Sequence, residues 1–284
     1  MAETVQTCYR HPDRRGGVRC QRCDRPICPS CMHQASVGFH CPECAKKGSQ
    51  KVYTARNLVT QPYVTFILIA ISAAAFVGEL LTVNNDPGHE TGRLGQIGLD
   101  GALYGPDVAA GDWWRPITAG FIHDGPLHIG LNMFILWQLG MLLEPALGRF
   151  RFIALYFVSL LGGSLLVLVI SPNEPTVGAS GAIFGLLGAA FIGLRSRGID
   201  PFQTAIGPLI IINLIFTFVG GNISIGGHIG GLVVGAGAGW LLFELPSRVP
   251  NGKIIAPLIC VAGSVALFVA CLQIAEPLAH TSIL

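Results

Sequence analysis

The chain is short of charge. Asp, Glu, Lys and Arg make up 12% of its 284 residues, about half the share of a soluble globular chain. Hydrophobic residues reach 51% and mean hydropathy is +0.57. Together these exclude an ordinary soluble domain and a disordered chain. No apolar stretch follows Met1 before residue 62, so no signal peptide is expected. Glycine, by contrast, is abundant at 37 residues and shows no collagen-like period. Such enrichment suits transmembrane helices that pack closely. The expected fold class is an all-α polytopic membrane protein.

What charge there is lies unevenly. Residues 1–56 hold 10 of the 18 basic groups and 4 of the 16 acids, and seven of the nine cysteines precede residue 45. The remainder is net acidic. Seven stretches are candidates to cross ~30 Å of hydrocarbon: Pro62–Val83, Leu127–Leu147, Phe150–Ile170, Ser180–Leu194, Phe202–Gly220, Gly226–Leu245 and Ile254–Ile274. The fourth spans only about 22 Å as a helix, so its start is expected below one membrane surface, inside protein. The segment between the first two carries six acids, two arginines, Pro and Gly, and reads as an ordered extramembrane or interfacial loop. With the N-terminus inside, the inner flanks gain Arg149, Arg151, Arg195, Arg197, Arg248 and Lys253, against only Arg93 and Arg115 outside. The positive-inside rule therefore predicts N-in and, with seven spans, C-out. Short loops and no organelle address point to a plasma membrane. The expected divisions are a zinc-binding module over 1–50, a linker over 51–61, a six-span core over 62–245, and an inner loop, seventh span and outer tail over 246–284.

Four knuckles stand in the N-terminal part: Cys8-x-x-His11, Cys20-x-x-Cys23, Cys28-x-x-Cys31 and Cys41-x-x-Cys44. Each gap lets two ligands reach one ion, and two knuckles complete a tetrahedral zinc site, so eight ligands imply two structural zinc ions. A disulfide framework competes, but an inner, reducing location argues against it. The short Cys23–Cys28 gap favours a crossed arrangement, with knuckles one and three on one ion and two and four on the other. His40 is an alternative ligand to Cys41, and His33 reads as a surface residue. The module resembles a B-box-type cross-braced finger. It lacks a DNA-reading helix pattern, so no nucleic acid is expected. The net charge of +6 over residues 1–56 suits an anionic inner leaflet or a protein partner, or is simply solvated.

Within the apolar spans a few polar residues stand out. His128 and Asn132 are i and i+4 on the second span. Ser180 opens the fourth and His228 the sixth. These three spans run in the same direction, so the residues share a layer near the outer surface. Gly181, Gly185, Ala189 and Gly193 form one small-residue stripe, and Gly227, Gly231, Gly235 and Gly239 another. If the stripes face each other, hydroxyl and imidazole approach, and a serine needs such a base. Each feature alone has a plainer reading: Ser180 as a helix cap, His228 as a satisfied core histidine, the stripes as packing. Trp113 and Trp114 suit an interfacial belt, Arg115 a loop organiser or lipid contact, Asn213, Glu79 and Glu244 structural places, and Cys260 and Cys271 inert packing.

Residues 60–245 resemble a rhomboid intramembrane serine protease. The matching features are Trp114-Arg115, His128-x-x-x-Asn132, Gly178-x-Ser180-Gly181, and His228 followed by glycines. The resemblance implies a rhomboid-type six-helix core, to which the apolar stretch Ile254–Ile274 adds a seventh helix. It implies Ser180 as nucleophile, His228 as general base and acid, and His128 and Asn132 with backbone amides as oxyanion donors. His123 matches a loop-structuring histidine. No cofactor is implied at the catalytic centre, and the substrates implied are transmembrane proteins in the bilayer. Two departures stand: the second glycine of a Gly-x-Ser-x-Gly elbow is missing, which excludes an α/β-hydrolase, and the tyrosine four residues after the serine, which in the family stacks on the catalytic histidine, is Phe184, whose ring can still stack there without the hydroxyl. The alternative function is a non-catalytic rhomboid-shaped scaffold or adaptor for transmembrane partners. A transporter is disfavoured, because no charge lies midway along the spans.

Overall fold

The computed structural model describes residues 6–48, 61–82, 94–219 and 223–275. Val83, Gly220, the expected linker up to residue 60 and the expected outer tail from residue 276 lie outside them. The chain divides into two units, 1–59 and 60–284.

The first unit is built from two minimal hairpins, β1 (Val18–Arg19) with β2 (Pro26–Ile27) and β3 (His33–Gln34) with β4 (Phe39–His40), followed by helix α1 (Pro42–Gly48). Two-residue strands cannot bury an apolar face. Apart from Ile27, the buried hydrophobic positions here are all cysteines, with Tyr9, Val18, Met32 and Phe39 only partly covered. Asp24 turns the first hairpin at φ 56°, a conformation its short polar side chain tolerates.

The second unit is helical: α2 (Tyr63–Thr82), short loop helices α3 (Gln96–Gly101), α4 (Gly105–Ala109) and α5 (Arg115–Thr118), then α6 (Pro126–Leu147), α7 (Arg149–Ile170), α8 (Ser180–Arg195), α9 (Ile206–Val219), α10 (Ile225–Arg248) and α11 (Gly252–Ala275). All seven expected spans are helices. Five (α2, α6, α7, α10 and α11) are long and apolar enough to cross a membrane, and α8 and α9 are shorter apolar helices. Helix α9 starts later than Phe202 because Asp200 accepts from the Phe202 amide and caps a separate 3-10 turn over Pro201–Gln203.

Helix α8 is central, its middle residues buried against α6, α7 and α10. The two small-residue stripes do face each other, in register. A Cβ on Gly231 would fall on the Gly181 carbonyl, one on Gly235 on the Gly185 backbone, and one on Gly239 2.6 Å from Ala189 Cα. Gly163 of α7 closes the same junction, with a Cβ there 2.8 Å from the Gly227 carbonyl. Between helices in lipid the hydrophobic effect supplies little attraction, so dispersion at close range and hydrogen bonding hold them.

Buried acids serve as caps. Glu144 near the end of α6 accepts from the Val64 amide (3.0 Å), the Thr65 amide (2.8 Å) and the Thr65 hydroxyl (2.8 Å). It thereby satisfies orphan donors at the start of α2. Glu79 accepts from the Gly95 amide at 2.6 Å, and Glu244 pairs with Arg248. Asn213 donates to the Leu209 carbonyl within its own helix. Cys260 and Cys271 are buried free thiols.

Candidate active site and candidate metal centres

The loop that precedes α6 is ordered by Arg115, 5% exposed. Its guanidinium donates to the Leu99 and Ala102 carbonyls (2.7 and 2.9 Å) and pairs with Asp107 and Asp112 (2.9 and 2.8 Å). A planar fork with five donors suits this convergence. Arg115 is therefore a loop organiser, while Trp113 and Trp114 stay exposed. The loop is stitched to the strand-like segment entering α8: Leu103 and Thr176 exchange backbone bonds, and the Gly178 amide donates to Ala119.

His123 completes this stitching. Its Nδ1 donates to the Phe121 carbonyl and its Nε2 accepts from the Ala179 amide, one residue before Ser180. Burial, with the neighbouring His128, pushes this imidazole down to about 4. It is therefore neutral at pH 7, as an accepting Nε2 requires. The expected loop-structuring place for His123 matches this geometry.

Ser180 begins α8, half-buried, beside a pocket of about 30 Å³ that also touches Gly178, Gly181, Ser164, Ser224 and Gly227. That is room for roughly one water. Gly178 has φ 123°, a region open to glycine, and a Cβ there would lie 2.7 Å from His128 Nε2 and 3.8 Å from Ser180 Oγ. His128 Nε2 and the serine hydroxyl thus flank the same glycine. The first-turn amides of Ser180, Gly181 and Ala182 make no hydrogen bond among the described residues, as expected of N-terminal helix donors.

His228 opens α10, 8% exposed. Phe184, one turn after Ser180, stacks on its ring with centroids 4.1 Å apart and planes 17° off parallel. Its Nδ1 lies 2.6 Å from Thr217 Oγ1. No hydrogen bond joins Ser180 to His228 among the described residues. His128 Nδ1 lies 2.6 Å from Asp124 Oδ1, which fixes the ring with Nε2 toward Gly178. Asn132 donates one amide hydrogen to the His128 carbonyl (2.9 Å) and keeps the other.

Sequence reasoning missed Asp124 and Thr217. Asp124 was legible in principle as the i−4 partner of His128. Thr217 carries no signal beyond being a hydroxyl near the end of an apolar span, since its partner is on another helix.

In the N-terminal unit the knuckles pair in the crossed manner expected. Cys8, His11, Cys28 and Cys31 form one cluster and Cys20, Cys23, Cys41 and Cys44 the other, all ligand atoms within 4.8 Å. His40 belongs to neither, and His33 is exposed. His11 Nδ1 lies 3.4 Å from both Cys28 and Cys31 Sγ, and Cys23 and Cys41 sulfurs are 3.8 Å apart. A tetrahedral ion with Zn–S of about 2.3 Å and Zn–N of about 2.0–2.1 Å requires S···S edges of ~3.8 Å and S···N edges of ~3.5 Å. The donor sets fit zinc. All nine cysteines are free thiols.

A Rhomboid domain family model matches residues 110–245. Rhomboid protease GluP of Bacillus subtilis is 38% identical over 178 residues, 62% of this chain and 34% of that protein. RHOMBOID-like protein 5 of Arabidopsis thaliana is 39% identical over 164 residues, 55% and 53% of the two. The putative rhomboid protease YdcA of Bacillus subtilis is 33% identical over 136 residues, 46% of this chain and 68% of that protein. The chain thus spans about a third of GluP and about half of RHOMBOID-like protein 5.

Proposed function

The chain belongs to the rhomboid family, and from that premise we propose that it is an intramembrane serine endopeptidase cutting transmembrane segments of other proteins. Ser180 Oγ attacks the scissile carbonyl while His228 takes its proton. The protonated imidazole then releases the amine, and water admitted from the outer side hydrolyses the acyl-enzyme. The oxyanion meets the free amides of α8, the spare amide hydrogen of Asn132 and, with the ring doubly protonated, the Nε2–H of His128, whose Nδ1–H is held by the Asp124 carboxylate. A helical substrate must unwind locally, because its carbonyls are already hydrogen-bonded, so small or helix-weakening residues near the cut are favoured.

The observation that carries this reading is the register of α8 on α10. Glycine on glycine contact brings the backbones together beside Ser180 and His228, and Phe184 seats the imidazole one turn from the serine. A scaffold needs neither a bare hydroxyl nor a clamped imidazole.

Zinc has no part in these steps. The two cysteine clusters would hold it as a structural ion, and the module would serve as a regulatory or substrate-adaptor element facing the cytoplasm of a plasma membrane. The test is cleavage of a model transmembrane substrate in proteoliposomes. Wild type should cut within the membrane segment, and Ser180→Ala and deletion of 1–59 separate the claims. Ser180→Ala should abolish cutting, while the truncated core should retain it. Cutting that survives Ser180→Ala removes the nucleophile assignment.

A further inference from the structure

We propose that Thr217 is a positioning residue for His228: it fixes the tautomer and the plane of the imidazole so that Nε2 is the nitrogen left to accept a proton. The inference rests on the Ser180–His228 reading above and adds a third member to it.

The hydrogen-bond bookkeeping at Thr217 sets the direction. Thr217 Oγ1 lies 2.8 Å from the Asn213 carbonyl and 2.6 Å from His228 Nδ1. A hydroxyl has one proton, and a carbonyl oxygen can only accept. The proton therefore goes to Asn213, the usual back-bond of threonine in a helix. The oxygen lone pair that remains faces Nδ1, so Nδ1 is the donor. A neutral ring protonated at Nδ1 carries its lone pair on Nε2, and that is the form a general base needs.

Burial makes the bond hard to replace. Thr217 is 2% exposed and His228 8%. Among the described residues of α9, the buried positions after Gly207 reduce to Thr217 alone, and its neighbours Phe216 and Phe218 are 60% and 63% exposed. A helix whose one other polar side chain is Asn213 turns a single hydroxyl inward, onto an imidazole edge. The face of that ring is already covered by Phe184. Stacking alone would permit a half-turn about the Cβ–Cγ bond, which exchanges nitrogen for carbon at each edge. The Thr217 bond removes that freedom. A neutral hydroxyl also orients the ring without placing a carboxylate in a low-dielectric site, where an ion is costly.

The helix back-bond to Asn213 explains the donor of Thr217 but not the lone pair aimed at Nδ1. Variants can separate the two. Thr217→Val keeps the shape and removes the hydroxyl; Thr217→Ser keeps the hydroxyl and loses a methyl. In the full chain, kcat for a transmembrane substrate should fall roughly 10- to 100-fold in Thr217→Val, less than the ~10²–10⁴ that a general base contributes outright. KM should stay within about twofold, because nothing that binds substrate has changed. Thr217→Ser should recover most of the loss. Nitrogen-15 NMR of histidine-labelled protein, with His228 assigned by difference against His228→Ala, should show Nδ1 protonated and Nε2 bare at neutral pH. In Thr217→Val the two tautomers should mix.

A wild-type ring protonated at Nε2 overturns the proposal, and this readout stands even if Thr217→Val does not fold. So does a folded Thr217→Val with wild-type kcat, or a Thr217→Ser as impaired as the valine variant. Failure of the underlying dyad has a different signature: activity would survive Ser180→Ala and His228→Ala.

Discussion

The two units of this chain meet the same shortage by opposite means. In the N-terminal module, two-residue strands and a seven-residue helix leave Ile27 as the one fully buried aliphatic side chain among the described residues, surrounded by cysteines. So small a core cannot offset chain entropy in water, and two four-ligand clusters stand in its place. The helical unit has apolar surface in excess, but lipid is as apolar as leucine and burial there drives nothing. It relies on missing side chains. Glycines at 181, 185, 231 and 235 let α8 and α10 touch along their backbones, and buried polar groups such as Glu144 close the helix ends. One unit gathers donor groups that fit a metal ion, and the other leaves atoms out. Each should therefore fail under a treatment that leaves the other intact.

Metal removal draws the contrast most sharply. A strong chelator should unfold residues 6–48 outright, since structural zinc supplies on the order of 10 kcal/mol or more of folding free energy in such modules. Amide dispersion of the isolated-module signals would collapse in NMR spectra, while thermal unfolding of the helical unit in detergent stays unchanged. A parallel loss of the core would break the division.

Next in size comes Gly231→Ala. Its Cβ would fall on the Gly181 carbonyl, and overpacking of this kind costs about 1–3 kcal/mol or more. Gly237→Ala, with nothing within 4 Å, should be neutral or stabilising by ~0.5–1 kcal/mol. Thermal denaturation of the pair in one detergent reads the difference, and equal effects would deny the backbone contact. Glu144→Gln should cost about 1–3 kcal/mol, because its amide nitrogen confronts donors at the start of α2 where the carboxylate now accepts them. Denaturation midpoints of this variant should fall without loss of the Phe184–His228 geometry. Smallest of all is Phe184→Tyr: the stacked ring persists, and cleavage should change by no more than a few-fold. A large loss would show that the ring's surroundings reject a hydroxyl.

Much of this was legible in residues 8–44 and 178–239 because the signals there are short-range or periodic. Two-residue gaps announced the knuckles, and the Cys23–Cys28 gap pointed to their crossing. Four-residue glycine spacing announced the contact of α8 with α10, although the register of Gly231 on Gly181 needed coordinates. All seven apolar stretches became helices, yet the sequence placed the start of α9 at Phe202, where Asp200 instead caps a separate turn. The polar partners were the least legible. Asp124 sits four residues before His128, but spacing alone does not distinguish a partner from a solvated acid. Glu144 and Thr217 act on other helices, 79 and 11 residues away, and long-range pairing of single residues leaves no periodic trace. Phe184 was expected to stack on His228, and at 4.1 Å it does.

The central claim is that Ser180 is an activated nucleophile served by His228 and independent of the metal clusters. Fluorophosphonate labelling of the purified full chain tests it most directly, comparing wild type with Ser180→Ala and His228→Ala, each with and without chelator. The account predicts labelling of wild type that persists after metal removal and is lost in both variants. Labelling that survives Ser180→Ala, or a folded wild type that neither labels nor cleaves a peptide substrate, would contradict it.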